Sequence, residues 1–399
     1  MKIMMVETLG DGGIAHYAYN LIKALAGHDL EMVLVTNRRY EFEQQATTFR
    51  VHGCMASMTG RLLDWLPVLD RETTLPSLVR RLLKVIELPF NTLSAIRLAK
   101  REKITLMHLQ SVNFVDILIV LGFKHCGLQV VNTIHNVMPW HQELKWWQQK
   151  IFTAMYAHCD RIIIHSRSGA EEIQKLYRVA PEKIHVIPHG DYKFFLPDEM
   201  LPLAQAKTAL GLAPADRTIL FFGALRGNKC LGDMLHAMPR IRELAPAVKL
   251  MIVGEVSGDY GKYRRIIDEL ELEPMLYEQL DYIPNEDVAK YFMAADLVAM
   301  PYKEITQSGV LQVAYSFGKP VVTTDLDGFK EVVEPGKNGY LVPYGDTQAL
   351  AERCAELLND DRLAAIMGAH SRELSDRKYS WSAIAQRTIE EVYHDGQVR

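Results

Sequence analysis

Tyr302–Thr323 reads YKEITQSGVLQVAYSFGKPVVT. LVAMPY leads into it and KPVVTT closes it, two short β-branched apolar runs. Between them VLQVAYSF carries apolar residues at helical spacing. Strand, helix and strand in so short a span form the crossover unit of a parallel sheet. Thr306 or Ser308 can cap the helix, and Gly309 lets another group approach the backbone closely. The N–H groups of Ser308, Gly309 and Val310 would then form an anion site. The plainer reading is a capped, buried helix, and these residues alone leave both open.

The same alternation extends in both directions. The first half offers KIMMVE, EMVLVT, LMHLQS, QVVNTIH and RIIIHS; the second offers TILFFGA, KLMIVGEV, LDYIP, LVAMPY, KPVVTT and GYLVP. Amphipathic stretches separate them, which predicts α/β architecture with parallel sheets covered on both faces. The pattern restarts near residue 215, after a stretch rich in proline and glycine that suits a linker. We therefore expect two doubly wound, Rossmann-like domains facing a cleft. One covers residues 1–195, with a closing helix at about 379–399, and the other covers 196–378. Ligands of such sheets lie at the carboxyl ends of the strands.

The totals agree: 399 residues exceed one typical core. A net charge of −4 argues against a partner such as duplex nucleic acid. Five scattered cysteines without a CxxC pair suit a reducing cytosol better than a disulfide frame or zinc site. MKIMMVETLG starts as a strand, so no signal peptide is expected. VDILIVLGF spans about half a bilayer and carries Asp116. Residues 56–104 hold Arg80, Arg81, Lys84, Arg97, Lys100, Arg101 and Lys103. They read either as a covering helix pair with a solvated basic face or as a face resting on an anionic membrane. WLPVL and KWWQQK supply interfacial aromatics nearby.

Five further motifs fall at strand ends. Gly10, Gly12 and Gly13 precede the first helix, where backbone amides can approach a phosphate; tight-turn glycines are the alternative. Arg226 and Lys229 follow Gly223 within one loop and suit a diphosphate, the first as a planar fork and the second as a point charge. His135 and Asn136 follow a strand, as do His165 and Ser166, where Ser166 reads as an N-cap. Asp325 and Asp327 form a D-x-D in a turn, a pair that can hold a divalent metal, although two acidic turn residues are common there.

Together these segments resemble the retaining GT-B glycosyltransferases of family 4, over nearly the whole chain. GDGGIAHYAYNLIKAL is similar to that family's first glycine loop, VIPHGDYKFF to its interdomain segment, and FFGALRGNK to its strand with Arg and Lys. YIPNEDVAKYFMAADLVAMPY resembles the segment around the base. GKPVVTTDLDGFKEVVEPGKNGYLVP resembles its C-terminal run, and KYSWSAIAQRTIEEVY its closing helix. The family's two glutamates would fall at Ile305 and Val313; Glu304 and Gln312 have the same spacing one position earlier. The sequence is similar to a TQSG variant that keeps the glycine turn without the glutamate pair.

The resemblance implies sugar transfer from a nucleoside diphosphate sugar, with UDP or GDP, to an acceptor hydroxyl with retention of configuration. It implies catalytic roles for His135, Arg226, Lys229 and Glu304. Gly12, Gly13, Gly223, Gly254, Ile283, Gln307, Ser308, Gly309, Val310 and Gln312 would line the donor. No metal or other cofactor is expected. The acceptor would be a saccharide or lipid-linked molecule, in polysaccharide, lipopolysaccharide or glycolipid assembly, and the location cytoplasmic or peripheral on the inner membrane face. Two other functions remain open: a non-catalytic nucleotide-sugar-binding subunit, and a nucleotide-sugar epimerase, which needs an acid/base pair.

Overall fold

Runs such as RIII and VVTT are apolar on both faces, so they bury between helical layers and form parallel sheets. In the computed structural model the chain divides into two units: Met1–Pro188 with Trp381–Arg399, and His189–Ser380. The structure describes every residue except 11, 39, 46–47, 56–76, 112–113, 138–143, 306 and 394–399.

The first unit runs β1 (Lys2–Glu7), α1 (Gly12–Leu25), β2 (Glu31–Asn37), β3 (Arg50–Met55), α2 (Ser77–Glu102), β4 (Leu106–Ser111), α3 (Ile117–His125), β5 (Gln129–Ile134), α4 (Trp146–His158), β6 (Arg161–Ile164), α5 (Arg167–Tyr177) and β7 (Ile184–Val186). Its seven strands are parallel in the order β3-β2-β1-β4-β5-β6-β7. One face packs on Val120, Phe152 and Tyr156, the other on α1 residues Tyr17, Leu21 and Ile22.

The second unit runs α6 (Leu203–Ala209), β8 (Arg217–Phe222), α7 (Leu231–Leu244), β9 (Val248–Val253), α8 (Gly261–Glu269), β10 (Leu276–Gln279), α9 (Val288–Ala294), β11 (Leu297–Met300), α10 (Gly309–Ser316), β12 (Val321–Thr324), α11 (Asp327–Lys330), β13 (Gly339–Val342), α12 (Thr347–Asn359) and α13 (Asp361–Arg377). Its six parallel strands lie in the order β10-β9-β8-β11-β12-β13. The closing helix α14 (Trp381–Thr388) returns to the first unit, where Arg387 donates to the Val186 carbonyl at 3.0 Å.

Four expectations change. The division falls at Pro188 and His189 rather than after residue 195. Asp191 donates its N–H to the Tyr379 carbonyl at 2.7 Å and Tyr192 its N–H to Ser316 Oγ at 3.1 Å, so both belong to the second unit. The proline-rich stretch before β8 contains α6. Lys207 there pairs with Asp296 at 2.7 Å, and Asp296 also accepts the Thr218 N–H and hydroxyl. LDYIP is not a strand; β10 is LYEQ, a few residues earlier. Residues 77–102 form one helix containing Pro89 instead of a helix pair, and 56–76 lie outside the described residues. Among the described residues no helix is long and apolar enough to cross a membrane.

Candidate functional site

In the second sheet the strand order reverses between β8 and β11. At such a reversal the loops leaving the two strands diverge and open a crevice at their carboxyl ends. The loop after β8 carries Arg226 and Lys229; the loop after β11 leads into α10. Lys303 N–H to the Asn228 carbonyl, 3.0 Å, ties the two loops together.

Gly223 closes β8 with φ +93°. A Cβ there would lie 2.6 Å from Lys229 Nζ and 3.5 Å from Val310 Cγ2, so lysine and helix start meet over this glycine. Lys229 Nζ donates to the Phe222 carbonyl at 3.0 Å and stands 5.5 Å from the Tyr302 ring centre. Burial, then the nearby Arg226 charge, lowers its pKa to about 8. A half-buried ammonium with a second cation nearby makes a poor resting state and a good receptor for an anion. Arg226 itself is exposed.

Ser308 caps α10: its Oγ accepts the Leu311 N–H at 3.2 Å and donates to Met300 Sδ at 3.8 Å. The first-turn amides of Gly309 and Val310 have no helical acceptor. A Cβ on Gly309 would meet Tyr192 Oη at 3.0 Å, so the tyrosine hydroxyl stands at the helix start. Burial raises the pKa of Tyr192 to about 12, keeping it a neutral O–H. Gln312 is only 4% exposed and its Oε1 has no protein partner; buried Oε1 of Gln307 has none either. Thr306, the alternative cap, lies outside the described residues.

Other expected residues take different places. Glu304 is exposed, while Gln312 is buried, so the two do not share one environment. Gly254 has φ +141°, and a Cβ there would lie 2.5 Å from the Gly223 carbonyl oxygen; it serves backbone packing between β8 and β9. Ile283 packs on the apolar cluster that includes Phe292 and Val298. Asp325 and Asp327 reach Lys330 at 4.0 and 3.6 Å, and the described residues form no metal-holding cluster.

In the first unit the sheet reverses between β1 and β4. Gly12 and Gly13 are exposed at the start of α1, and added Cβ atoms there would meet nothing within 4 Å. The loop before them is ordered from below. Buried Glu7 accepts the Leu9 N–H at 2.7 Å, the Gly10 N–H at 2.8 Å and the Thr36 hydroxyl at 3.0 Å. Those two amides therefore point to the protein, leaving the turn's outward side to Gly12 and Gly13. Sequence reading missed Glu7, whose only signal is an acidic residue ending a buried strand.

His135 is 6% exposed, with Nε2 3.0 Å from Gln110 Oε1 and Nδ1 3.4 Å from His165 Nε2. Tyr17 packs edge-on against it, ring centres 4.8 Å apart. Ser166 caps α5, accepting the Gly169 N–H at 3.1 Å, while His165 joins His135 in one polar cluster. Gln110 was not anticipated.

Comparison with known proteins shows the family and the fold. Residues 11–190 match the family model "Glycosyltransferase Family 4" and residues 216–360 the model "Glycosyl transferases group 1". D-inositol 3-phosphate glycosyltransferase of Thermobispora bispora is 30% identical over 256 residues, 60% of this chain and 57% of that protein. The enzyme of that name from Corynebacterium urealyticum is 28% identical over 239 residues, 58% and 56% of the two chains. The chain thus spans somewhat over half the length of these relatives. Among solved structures, Anabaena HepE in complex with UDP has a TM-score of 0.74 at 17% identity, covering 98% of this chain and 100% of that one. Sucrose-phosphate synthase of Thermosynechococcus elongatus has 0.73 at 20% identity, covering 97% of both. With both units matched by glycosyltransferase models and both sheets by GT-B structures, the chain belongs to the family 4, group 1 glycosyltransferases of GT-B fold.

Proposed function

We propose that the protein is a retaining glycosyltransferase that moves a sugar from a nucleoside diphosphate sugar to an acceptor hydroxyl. The observation that carries this reading is the meeting of the Lys229 ammonium and the α10 amide end over Gly223. HepE was solved with UDP and with UDP-glucose, which supports a nucleoside diphosphate as ligand. The barrier is charge separation between an oxocarbenium-like sugar and a departing diphosphate. Donors aimed at the developing charge lower it. Lys229, Arg226 and the amides of Gly309 and Val310 take that role, and His135 contacts the donor sugar. The bond from anomeric carbon to phosphate oxygen breaks, its electron pair going to the phosphate. The acceptor oxygen bonds to the carbon from the same face and its proton passes to the departing phosphate oxygen. No protein nucleophile takes part, and the charge is met by protein groups without a metal.

Incubation with a panel of UDP- and GDP-sugars and saccharide or lipid-linked acceptors should give a glycoside with the donor's anomeric configuration. An inverted product would end the retaining mechanism. Donor binding without turnover would favour a non-catalytic subunit. A changed donor sugar without acceptor would favour an epimerase.

We also propose that the α2–α4 side of the first unit rests on an anionic membrane, where a lipid-linked acceptor is presented. Phe90 and Leu93 on α2, Leu118 on α3, and Trp146 on α4 are exposed there, alongside exposed Arg97, Lys100, Arg101 and Lys150. Each cation near such a surface contributes about 1 kcal/mol. Phe90→Ser with Trp146→Ser should release the protein from sedimenting phosphatidylserine vesicles without changing its melting temperature. Unaltered sedimentation, or equal binding to neutral vesicles, would count against this face.

A further inference from the structure

A buried chain of polar side chains crosses the first unit's sheet beneath α1 and the closing helix. Tyr393 Oη is 2.6 Å from His108 Nδ1. His108 Nε2 is 2.7 Å from Thr133 Oγ1 and 3.4 Å from Gln110 Nε2 as placed. Gln110 Oε1, as placed, is 3.0 Å from His135 Nε2, His135 Nδ1 is 3.4 Å from His165 Nε2, and His165 Nδ1 is 3.0 Å from the Ile187 carbonyl. Gln110 and His108 share one face of β4, two residues apart, with Thr133 beside them on β5.

With neutral rings, the Ile187 end of this chain sets the hydrogen positions of the two histidines next to it. A carbonyl only accepts, so His165 carries its proton on Nδ1, and a neutral imidazole then has its lone pair on Nε2. That lone pair faces His135 Nδ1, which must therefore hold the hydrogen, leaving the His135 lone pair on Nε2. A side-chain amide has the same outline in both orientations, and its partners decide which end is nitrogen. In the orientation as placed, Gln110 offers its oxygen to His135, and two neutral histidines would then face each other with lone pairs. Offering its NH2 removes that conflict and turns its oxygen toward His108. His108 can then donate from Nε2, to Gln110 and Thr133, and accept the Tyr393 hydroxyl at Nδ1. Burial holds the His108 pKa down to about 3, consistent with a neutral ring. All the hydrogens run one way, from Tyr393 to Ile187.

We propose that Gln110 and His165 are positioning residues that hold His135 as its Nδ1–H tautomer, with Tyr393 of the closing segment at the far end of the same chain. Resting on the transferase reading, His135 then presents an acceptor nitrogen. A donor-sugar hydroxyl that reaches Nε2 takes the place of the Gln110 NH2 as its hydrogen-bond donor.

The test is 15N NMR of the full chain with labelled imidazoles, His135 being assigned from the signals lost in His135→Gln. The wild type should show a protonated Nδ1 and a lone-pair Nε2 at His135. Gln110→Glu offers only acceptors and should move the hydrogen to Nε2. It should also lower kcat by more than about tenfold, a wrong tautomer costing up to about 10⁴ where the imidazole itself moves the proton, while KM changes less. A wild-type His135 with its hydrogen on Nε2, or a tautomer unmoved in a folded Gln110→Glu, would overturn the proposal. Should Gln110→Glu fail to fold, the wild-type spectrum alone decides. The expected tautomer in a protein that transfers no sugar would sink the transferase reading and leave this one standing.

Discussion

Lys229→Ala is expected to lower kcat/KM for a nucleoside diphosphate sugar by roughly 10²–10³-fold, about 3–4 kcal/mol of lost transition-state stabilisation. Its ammonium is half-buried and placed over Gly223 beside the first turn of α10. Arg226→Ala should cost less, because that side chain stays in solvent, where its charge is screened. The fold should not suffer. The Lys229 pKa falls from 10.5 in the free side chain to about 8 in the folded protein, so the unfolded chain binds the proton more tightly. Stability therefore rises with pH between about 8 and 10.5, and below 8 the full penalty of a charged, half-buried lysine applies. At pH 7 the alanine variant should melt no lower than the wild type. The same shift makes diphosphate binding a proton-uptake event: near pH 9 its calorimetric enthalpy should change with the ionisation enthalpy of the buffer. Near-normal turnover in Lys229→Ala would remove the phosphate assignment.

Gly254→Ala is expected to destabilise the second unit by about 3 kcal/mol or more. A methyl group at this position would stand 2.5 Å from the Gly223 carbonyl oxygen and 2.6 Å from its carbon, and backbone atoms cannot swing aside as a side chain can. The φ of +141° adds strain for any L side chain. In a unit of this size that change corresponds to a fall in melting temperature of roughly 6–12 °C. Because the displaced atom belongs to Gly223, the variant should also weaken donor binding in whatever fraction stays folded. A scanning-calorimetry trace like that of the wild type would show that β8 and β9 can part without cost.

The contrast between these two glycines shows what the sequence could reveal. Both end a strand, and both were assigned to the donor. Only their neighbours separate them: Gly223 faces Lys229 and Val310, Gly254 faces another backbone. Central strands such as ILFF and MIV were legible because burial on both faces demands an unbroken apolar run. The edge strands RVHGCM and IHV were not, since an edge needs fewer apolar residues and one of them carries a glycine. The Ser308 cap was legible because capping is local. Tyr192 at the start of α10, Glu7 beneath the first loop and Gln110 behind His135 were not. Each reaches its partner from a separate segment, and only strand order and register bring them together. The replacement of the glutamate pair is legible as composition, but its consequence is spatial: Glu304 lies in solvent and Gln312 is buried with an unpartnered oxygen.

The most direct test of the account is titration calorimetry of UDP and GDP into the wild type and Lys229→Ala, with the matching monophosphates as controls. Binding by one diphosphate, much weaker binding by its monophosphate, and loss of that difference in Lys229→Ala are the predicted results. Equal affinities for mono- and diphosphate, or a diphosphate that binds the variant as tightly as the wild type, would contradict it.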